Sequence, residues 1–207
     1  MKIKVCGLKD PNNIKAIEAL GPDFIGLIFY PRSPRYIDGL PSSVTKAISP
    51  AIVKTGVFVN DSFESINSLI SEYELDAVQL HGVENPEFCA GLKKRVKVIK
   101  AFNIDEEFDF DDLDVYLPHV DYFLFDTRSN KPGGSGLTFD WSVLKNYTHN
   151  APFFLSGGLS LDNLEAALKI SHPQFYAVDL NSKFEISPGI KDAGKLKEAF
   201  NLIRRTV

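Results

Sequence analysis

The sequence predicts an α/β fold closed into an eight-stranded barrel, and three observations carry that expectation. Short β-branched or aromatic runs alternate strictly with helix-like stretches, the pattern of a parallel sheet with crossover helices. The runs are mostly apolar without strict alternation, as in strands covered on both faces. Eight such units in 207 residues favour closure over an open doubly wound sheet, near the lower limit for a βα barrel. The GxGxxG fingerprint that a dinucleotide-binding sheet places after its first strand is missing. The expectation is a single-domain (βα)8 TIM barrel over residues 1–207.

In chain order, the strands are expected at residues 2–6, 23–29, 52–59, 76–80, 96–102, 121–126, 152–156 and 175–180. Between them lie amphipathic segments with Ile, Ala and Leu at helical spacing, such as Asn13 to Leu20 and Leu161 to Ile170. Asp10-Pro11 sets a capping acid before a first-turn proline. Ser160 or Asp162 opens the helix before strand eight. After strand five the stretch Asp105 to Asp114 is short and acidic, and a helix there is weakly encoded. No linker, low-complexity segment or solenoid repeat interrupts the pattern.

Composition narrows the function classes. A hydrophobic fraction of 44% supplies a sizeable core. Net charge is −4 and the basic residues form no runs, which argues against a nucleic-acid surface. No apolar stretch approaches the roughly 18 residues of a membrane helix. The N-terminus enters a strand pattern at once, so no signal peptide is expected. Cys6 and Cys89 are too few for a disulfide framework and share no CxxC spacing. A cytoplasmic, monomeric protein is the expectation.

In closed βα barrels the site lies where strands end and loops begin. Side chains two apart on a strand share a face, so Lys4 and Cys6 point together, as do Gln79 and His81, and Ala177, Asp179 and Asn181. A buried Lys or Asp needs a partner, and strands eight and one are neighbours in a closed barrel. Lys4 and Asp179 are therefore expected to pair. Cys6 ends strand one, and a nearby cation would increase its thiolate fraction; the alternative is a small core residue. Cys89 lies inside a predicted helix and reads as structural. Asp126 ends the apolar run Tyr122-Phe123-Leu124-Phe125, where a desolvated carboxyl could work as a general acid; the alternative is a turn cap. The loop Arg128 to Gly136, with three glycines, reads as a lid over bound ligand or a plain surface loop.

Ser156-Gly157-Gly158 after strand seven, Asn181-Ser182 after strand eight and Ser187-Pro188-Gly189, expected to open a short extra helix, put backbone N–H groups where barrels bind phosphate. Arg35, in the loop Tyr30-Pro31-Arg32-Ser33-Pro34-Arg35-Tyr36, has a fork that matches a carboxylate, and two prolines are expected to stiffen its loop. The four histidines are scattered without ligand spacing, so no metal site is expected, and His81 reads as a substrate hydrogen-bonder or a satisfied polar residue.

Several stretches together resemble the N-(5′-phosphoribosyl)anthranilate isomerase family. They are Lys4-Val5-Cys6-Gly7-Leu8, Gly26 to Tyr36, Gly56-Val57-Phe58-Val59-Asn60, Val78-Gln79-Leu80-His81-Gly82 and Gly133-Gly134-Ser135-Gly136 with Thr138-Phe139-Asp140-Trp141. Asp179-Leu180-Asn181-Ser182 with Ser187 to Asp192 completes the set, running in order from residue 3 to about 192. The resemblance implies a metal-free, cofactor-free Amadori rearrangement in tryptophan biosynthesis. Phosphoribosylanthranilate becomes 1-(2-carboxyphenylamino)-1-deoxyribulose 5-phosphate. It implies Cys6 as general base and Asp126 as general acid, with Arg35 on the anthranilate carboxylate. Gly157, Gly158, Asn181 and Ser182 would hold the phosphate. Gln79, His81 and Asp179, at the ends of their strands, are expected to contact the substrate as well. Lys183 departs from a family glycine; if that backbone needs a positive φ, the phosphate loop is strained. Ser156 stands in place of a common alanine, and Leu137 in place of a polar residue. The rivals are another sugar-phosphate barrel enzyme, which would need catalytic lysine and glutamate or a metal cluster, and a non-catalytic ligand-binding barrel.

Overall fold

The computed structural model describes residues 1–127 and 141–206. Eight parallel strands close in sequence order, with β8 returning to β1. They are β1 (Lys2–Cys6), β2 (Phe24–Ile28), β3 (Val53–Phe58), β4 (Ala77–Leu80), β5 (Lys97–Ile104), β6 (Tyr122–Thr127), β7 (Phe153–Ser156) and β8 (Phe175–Leu180). Each expected strand is present, shifted by a residue or two at some ends. Pro152 falls outside β7, as a residue without an N–H must when the ladder needs a donor.

Among the described residues six α-helices surround the barrel: α1 (Pro11–Glu18), α2 (Ser42–Lys46), α3 (Phe63–Tyr73), α4 (Pro86–Lys93), α5 (Leu161–Leu168) and α6 (Ala193–Arg205). Asp10 caps α1 by accepting from Asn13 N, with Pro11 in the first turn. Ser160, rather than Asp162, is the N-cap of α5, in a reciprocal capping box with Asn163. The two remaining crossovers contain 3-10 segments, Phe110–His119 and Trp141–Asn146. In the first, the acids are spent on a turn cap, Asp109 to Asp111 N, and Pro118 interrupts the backbone ladder, so an α-helix does not propagate.

Two separate apolar layers follow from strand alternation. Outward-facing side chains such as Val5, Leu27, Phe123, Phe125 and Val178 pack against Ile14, Ile66, Leu92, Leu164 and Phe200 of the helices. The inward face begins with a floor of Phe24, Ile99, Ala101, Leu124, Phe154 and Ala177. Two residues beyond Val53, Ala77 and Ala177 come Thr55, Gln79 and Asp179, with Lys4 the register partner of Asp179, all four buried. Nearer the mouth come Cys6, Ile28 and Val57, which form their own small cluster, and Asp126, two residues beyond Leu124. The floor is plugged with rings and the mouth is lined with polar groups. A short antiparallel ribbon, β9 (Glu185–Ser187) with β10 (Ile190–Lys191), follows β8 at that mouth, and Pro188-Gly189 turn it, with Gly189 at positive φ, instead of opening the expected helix.

Candidate active site

Cys6 and Asp126 both end inward-facing rows, on β1 and β6, and both are buried. Cys6 occupies the space a side chain at residue 26 would need: a Cβ on Gly26 would lie 2.6 Å from its sulfur. Gly26 is thus the notch that seats the thiol. Burial pushes the Cys6 thiol above its ordinary range, and the ammonium groups of Lys4 and Lys191 pull against that shift.

Lys4 and Asp179 are register partners on adjacent strands, and their side chains meet at 2.9 Å inside the barrel. Lys4 Nζ also donates to Gln79 Oε1 across the interior, at 2.6 Å. This second bond fixes the Gln79 amide: its NH2 must face the other way, toward His81 Nδ1 at 2.9 Å. His81 therefore accepts at Nδ1 and carries its proton at Nε2, which lies 3.5 Å from Asp126 Oδ2. One lysine thereby sets, through an amide, which imidazole nitrogen faces the carboxyl. Desolvation opposes the Lys4 charge, but Asp179 and Cys6 outweigh it and hold the ammonium in its charged form. Burial pushes Asp179 upward against the pull of Lys4, and its Oδ1 has no hydrogen-bond partner among the described residues.

The loop after β7 adopts positive φ at Gly157 (94°) and Gly158 (64°), conformations that favour glycine. A Cβ on Gly157 would strike the backbone of Thr127 and lie 2.7 Å from Asp126 Oδ1. The glycine thus lets the loop close against the acid. After β8, Asn181 leads into a 3-10 turn, Ser182–Phe184. Among the described residues the only non-glycine positive φ values are at Asn60 and Glu74, so Lys183 is unstrained and its substitution for glycine does not distort the loop. The expected lid, Arg128 to Gly136, and Leu137 lie outside the described residues.

Arg35 is held differently from the sequence reading. Its guanidinium grips Glu185 through Nε at 2.8 Å and Nη2 at 2.7 Å, a bidentate pair, so an ion pair adds to whatever stiffness the prolines give. Glu185 Oε1 also accepts from Lys191 Nζ at 2.6 Å, and Lys191 in turn bonds Asn181 Oδ1 at 2.7 Å. Neither Glu185 nor Lys191 carried a role in the sequence reading, because the partners are distant in the chain and follow no local periodicity. Cys89 sits buried in α4, its thiol pushed by burial up to about 11, as suits an inert packing residue. Among the described residues no group of three or more His, Cys, Asp or Glu is placed to hold a metal ion.

A closed βα barrel with a thiol, a carboxyl, an imidazole and an arginine at the C-terminal mouth, beside two glycine- and serine-bearing loops, has the parts that a barrel enzyme acting on a sugar phosphate needs. The comparisons narrow the class. The profile of the family described as N-(5'phosphoribosyl)anthranilate (PRA) isomerase matches residues 3–202, and the chain belongs to that family. It is 48% identical to the N-(5'-phosphoribosyl)anthranilate isomerase of Parabacteroides distasonis, over 95% of this chain and 90% of that one. It is 42% identical to the enzyme of Phocaeicola vulgatus over the full length of both. Among solved structures, the Thermotoga maritima phosphoribosyl anthranilate isomerase superposes with a TM-score of 0.86 at 33% identity, covering 99% of each chain. A phosphoribosyl anthranilate isomerase in complex with reduced 1-(o-carboxyphenylamino)-1-deoxyribulose 5-phosphate superposes equally well, at 0.86 and 32% identity over 99% of each chain.

Proposed function

We propose that this chain performs its family's Amadori rearrangement with Cys6 as general base and Asp126 as general acid. The observation that carries the assignment is their common placement: both groups end inward rows of one barrel mouth, on β1 and β6. Asp126 gives a proton to the furanose ring oxygen while the C1′–O4′ bond breaks, and the anilino nitrogen supplies the electron pair of an iminium. The C2′ proton is now acidic, and the Cys6 thiolate removes it to leave an enolamine. The enolamine loses its hydroxyl proton and gains one at C1′, which gives the ketone. The electron sink is the substrate's own nitrogen. Each positioned acid or base contributes about 10²–10⁴-fold.

The remaining contacts follow the geometry. Backbone N–H groups around Gly157, Gly158, Asn181 and Ser182 suit the phosphate, since both loops border the mouth. Arg35 suits the anthranilate carboxylate. His81 and Asp179 suit sugar hydroxyls, with Gln79 orienting His81. All these side chains come from one barrel, which supports a monomer as the active unit. Cys6 must stay a free thiol, as it is here, which fits a reducing, cytoplasmic setting. The test is direct: purified protein is given freshly made phosphoribosylanthranilate and the loss of its fluorescence is followed. Turnover without added metal or cofactor is expected, and no turnover would refute the reading.

A further inference from the structure

We propose that Glu185 is a positioning residue: it holds Arg35 by one edge so that the remaining N–H groups of the guanidinium are fixed for a substrate carboxylate, and so sets the preference for a carboxylated aniline. The inference rests on the assignment of Arg35 to that carboxylate. A guanidinium has five N–H donors in a rigid fork. Glu185 takes the Nε edge, at 2.8 Å and 2.7 Å, while Nη1 makes no hydrogen bond among the described residues. Arg35 therefore enters binding with its rotation already fixed, and less rotamer entropy is lost when a second carboxylate arrives.

Glu185 is itself immobilised, which separates it from a stand-in that a ligand would displace. Its side chain is 6% exposed, and Oε1 also accepts from Lys191 Nζ at 2.6 Å and Gly189 N at 3.1 Å. Desolvation works against its charge, but the bonds from Arg35 and Lys191 prevail and keep it ionised below the ordinary glutamate range. Arg35 lies against Gly7, the residue after Cys6: a Cβ there would be 2.7 Å from Arg35 Cδ and 2.9 Å from Asn181 Oδ1. The clamp thus stands between the thiol and the β8 loop. Removing the negative charge of Glu185 would by itself strengthen anion attraction, so a loss of affinity in its neutral variant reads orientation rather than charge. Burial works against the Lys191 charge, and the bond to Glu185 offsets it.

The experiment is a double-variant cycle with Glu185→Gln, Arg35→Ala and the pair, measured on phosphoribosylanthranilate and on the phosphoribosylaniline that lacks the carboxylate. Glu185→Gln is expected to raise KM for the carboxylated substrate by about 10-fold with kcat little changed, the size of one charge-assisted hydrogen bond. It should leave kcat/KM for the aniline analogue near the wild-type value and add nothing in the Arg35→Ala background. Losses of equal size on both substrates, or effects that multiply in the double variant, would overturn the positioning role in favour of plain structural support. An Arg35→Ala enzyme with unchanged kcat/KM would instead overturn the carboxylate assignment beneath it. Should Glu185→Gln fail to fold, Glu185→Asp keeps the charge but shortens the reach. A wild-type KM in that variant would equally refute the clamp.

Discussion

Lys4 and Asp179 meet at 2.9 Å in the centre of the barrel, with Lys4 fully buried and also bonded to Gln79 at 2.6 Å. Removing one member of a buried ion pair leaves the other charge unpaired, which costs more than the pair itself contributes. Lys4→Met is therefore expected to destabilise the fold by about 3–5 kcal/mol. Lys4→Met combined with Asp179→Leu should recover a large part of that loss, since neither charge then remains. Denaturant midpoints of the three variants check this. A Lys4→Met protein as stable as the wild type would show that the pair carries no such penalty.

The pH profile should reveal the same lysine from the chemical side. A general base works unprotonated, so a thiol pushed up by burial is largely protonated at neutral pH. As pH rises through its titration the thiolate fraction grows, so the thiolate ultraviolet absorbance should climb toward alkaline pH. Lys4 opposes the upward shift, so Lys4→Met should displace the climbing limb to still higher pH. Titrations followed by that absorbance would check both. A limb that stays in place in the variant would argue that Lys4 does not act on the thiol.

The two proposed proton carriers can be tested individually. Cys6→Ala and Asp126→Asn should each cut kcat by at least about 10²-fold while the protein stays folded. Cys6 is a small buried residue at a notch made by Gly26, so alanine leaves little void and the fold tolerates it. Asparagine keeps the shape of Asp126 but cannot give up a proton as the acid does. Stopped-flow or steady-state rates with circular dichroism as the folding control suffice. Near-normal turnover in either variant would remove that residue from the mechanism.

Much of this site was legible because strand alternation has a period of two. That single rule put Lys4 with Cys6 and Gln79 with His81, and β8 adjacent to β1 put Asp179 opposite Lys4. What alternation cannot see is a contact between loops. Arg35 and Glu185 lie 150 residues apart, and Glu185 stands between Phe184 and Ile186 like any exposed charge on a ribbon. Its importance appears only when the barrel closes. The region after β5 was equally opaque, because the two buried residues of its 3-10 segment, Phe110 and Leu113, anchor it without giving it an α-helical period.

The bottom of the barrel supplies a last expectation, one that separates stability from chemistry. Three aspartates just before strands accept from a backbone N–H of the preceding strand. Asp23 Oδ2 takes Ile3 N at 2.9 Å, Asp76 Oδ2 takes Lys54 N at 2.9 Å, and Asp121 Oδ2 takes Val98 N at 2.8 Å. Each fills a donor that the parallel ladder leaves unpaired at its N-terminal edge, where a lost bond costs about 1 kcal/mol. Asp23 and Asp121 are half-buried, while Asp76 is more exposed and water can partly replace it. Replacement by alanine should therefore lower stability most at Asp23 and Asp121 and least at Asp76, with effects that add because the three sites share no partners. All three lie at the face opposite the thiol and the carboxyl, so kcat and KM should stay at wild-type values. Thermal midpoints alongside steady-state kinetics for the single and triple variants decide the matter. A stable triple variant, or one that is folded but slow, would contradict the division of the barrel into a structural floor and a working mouth.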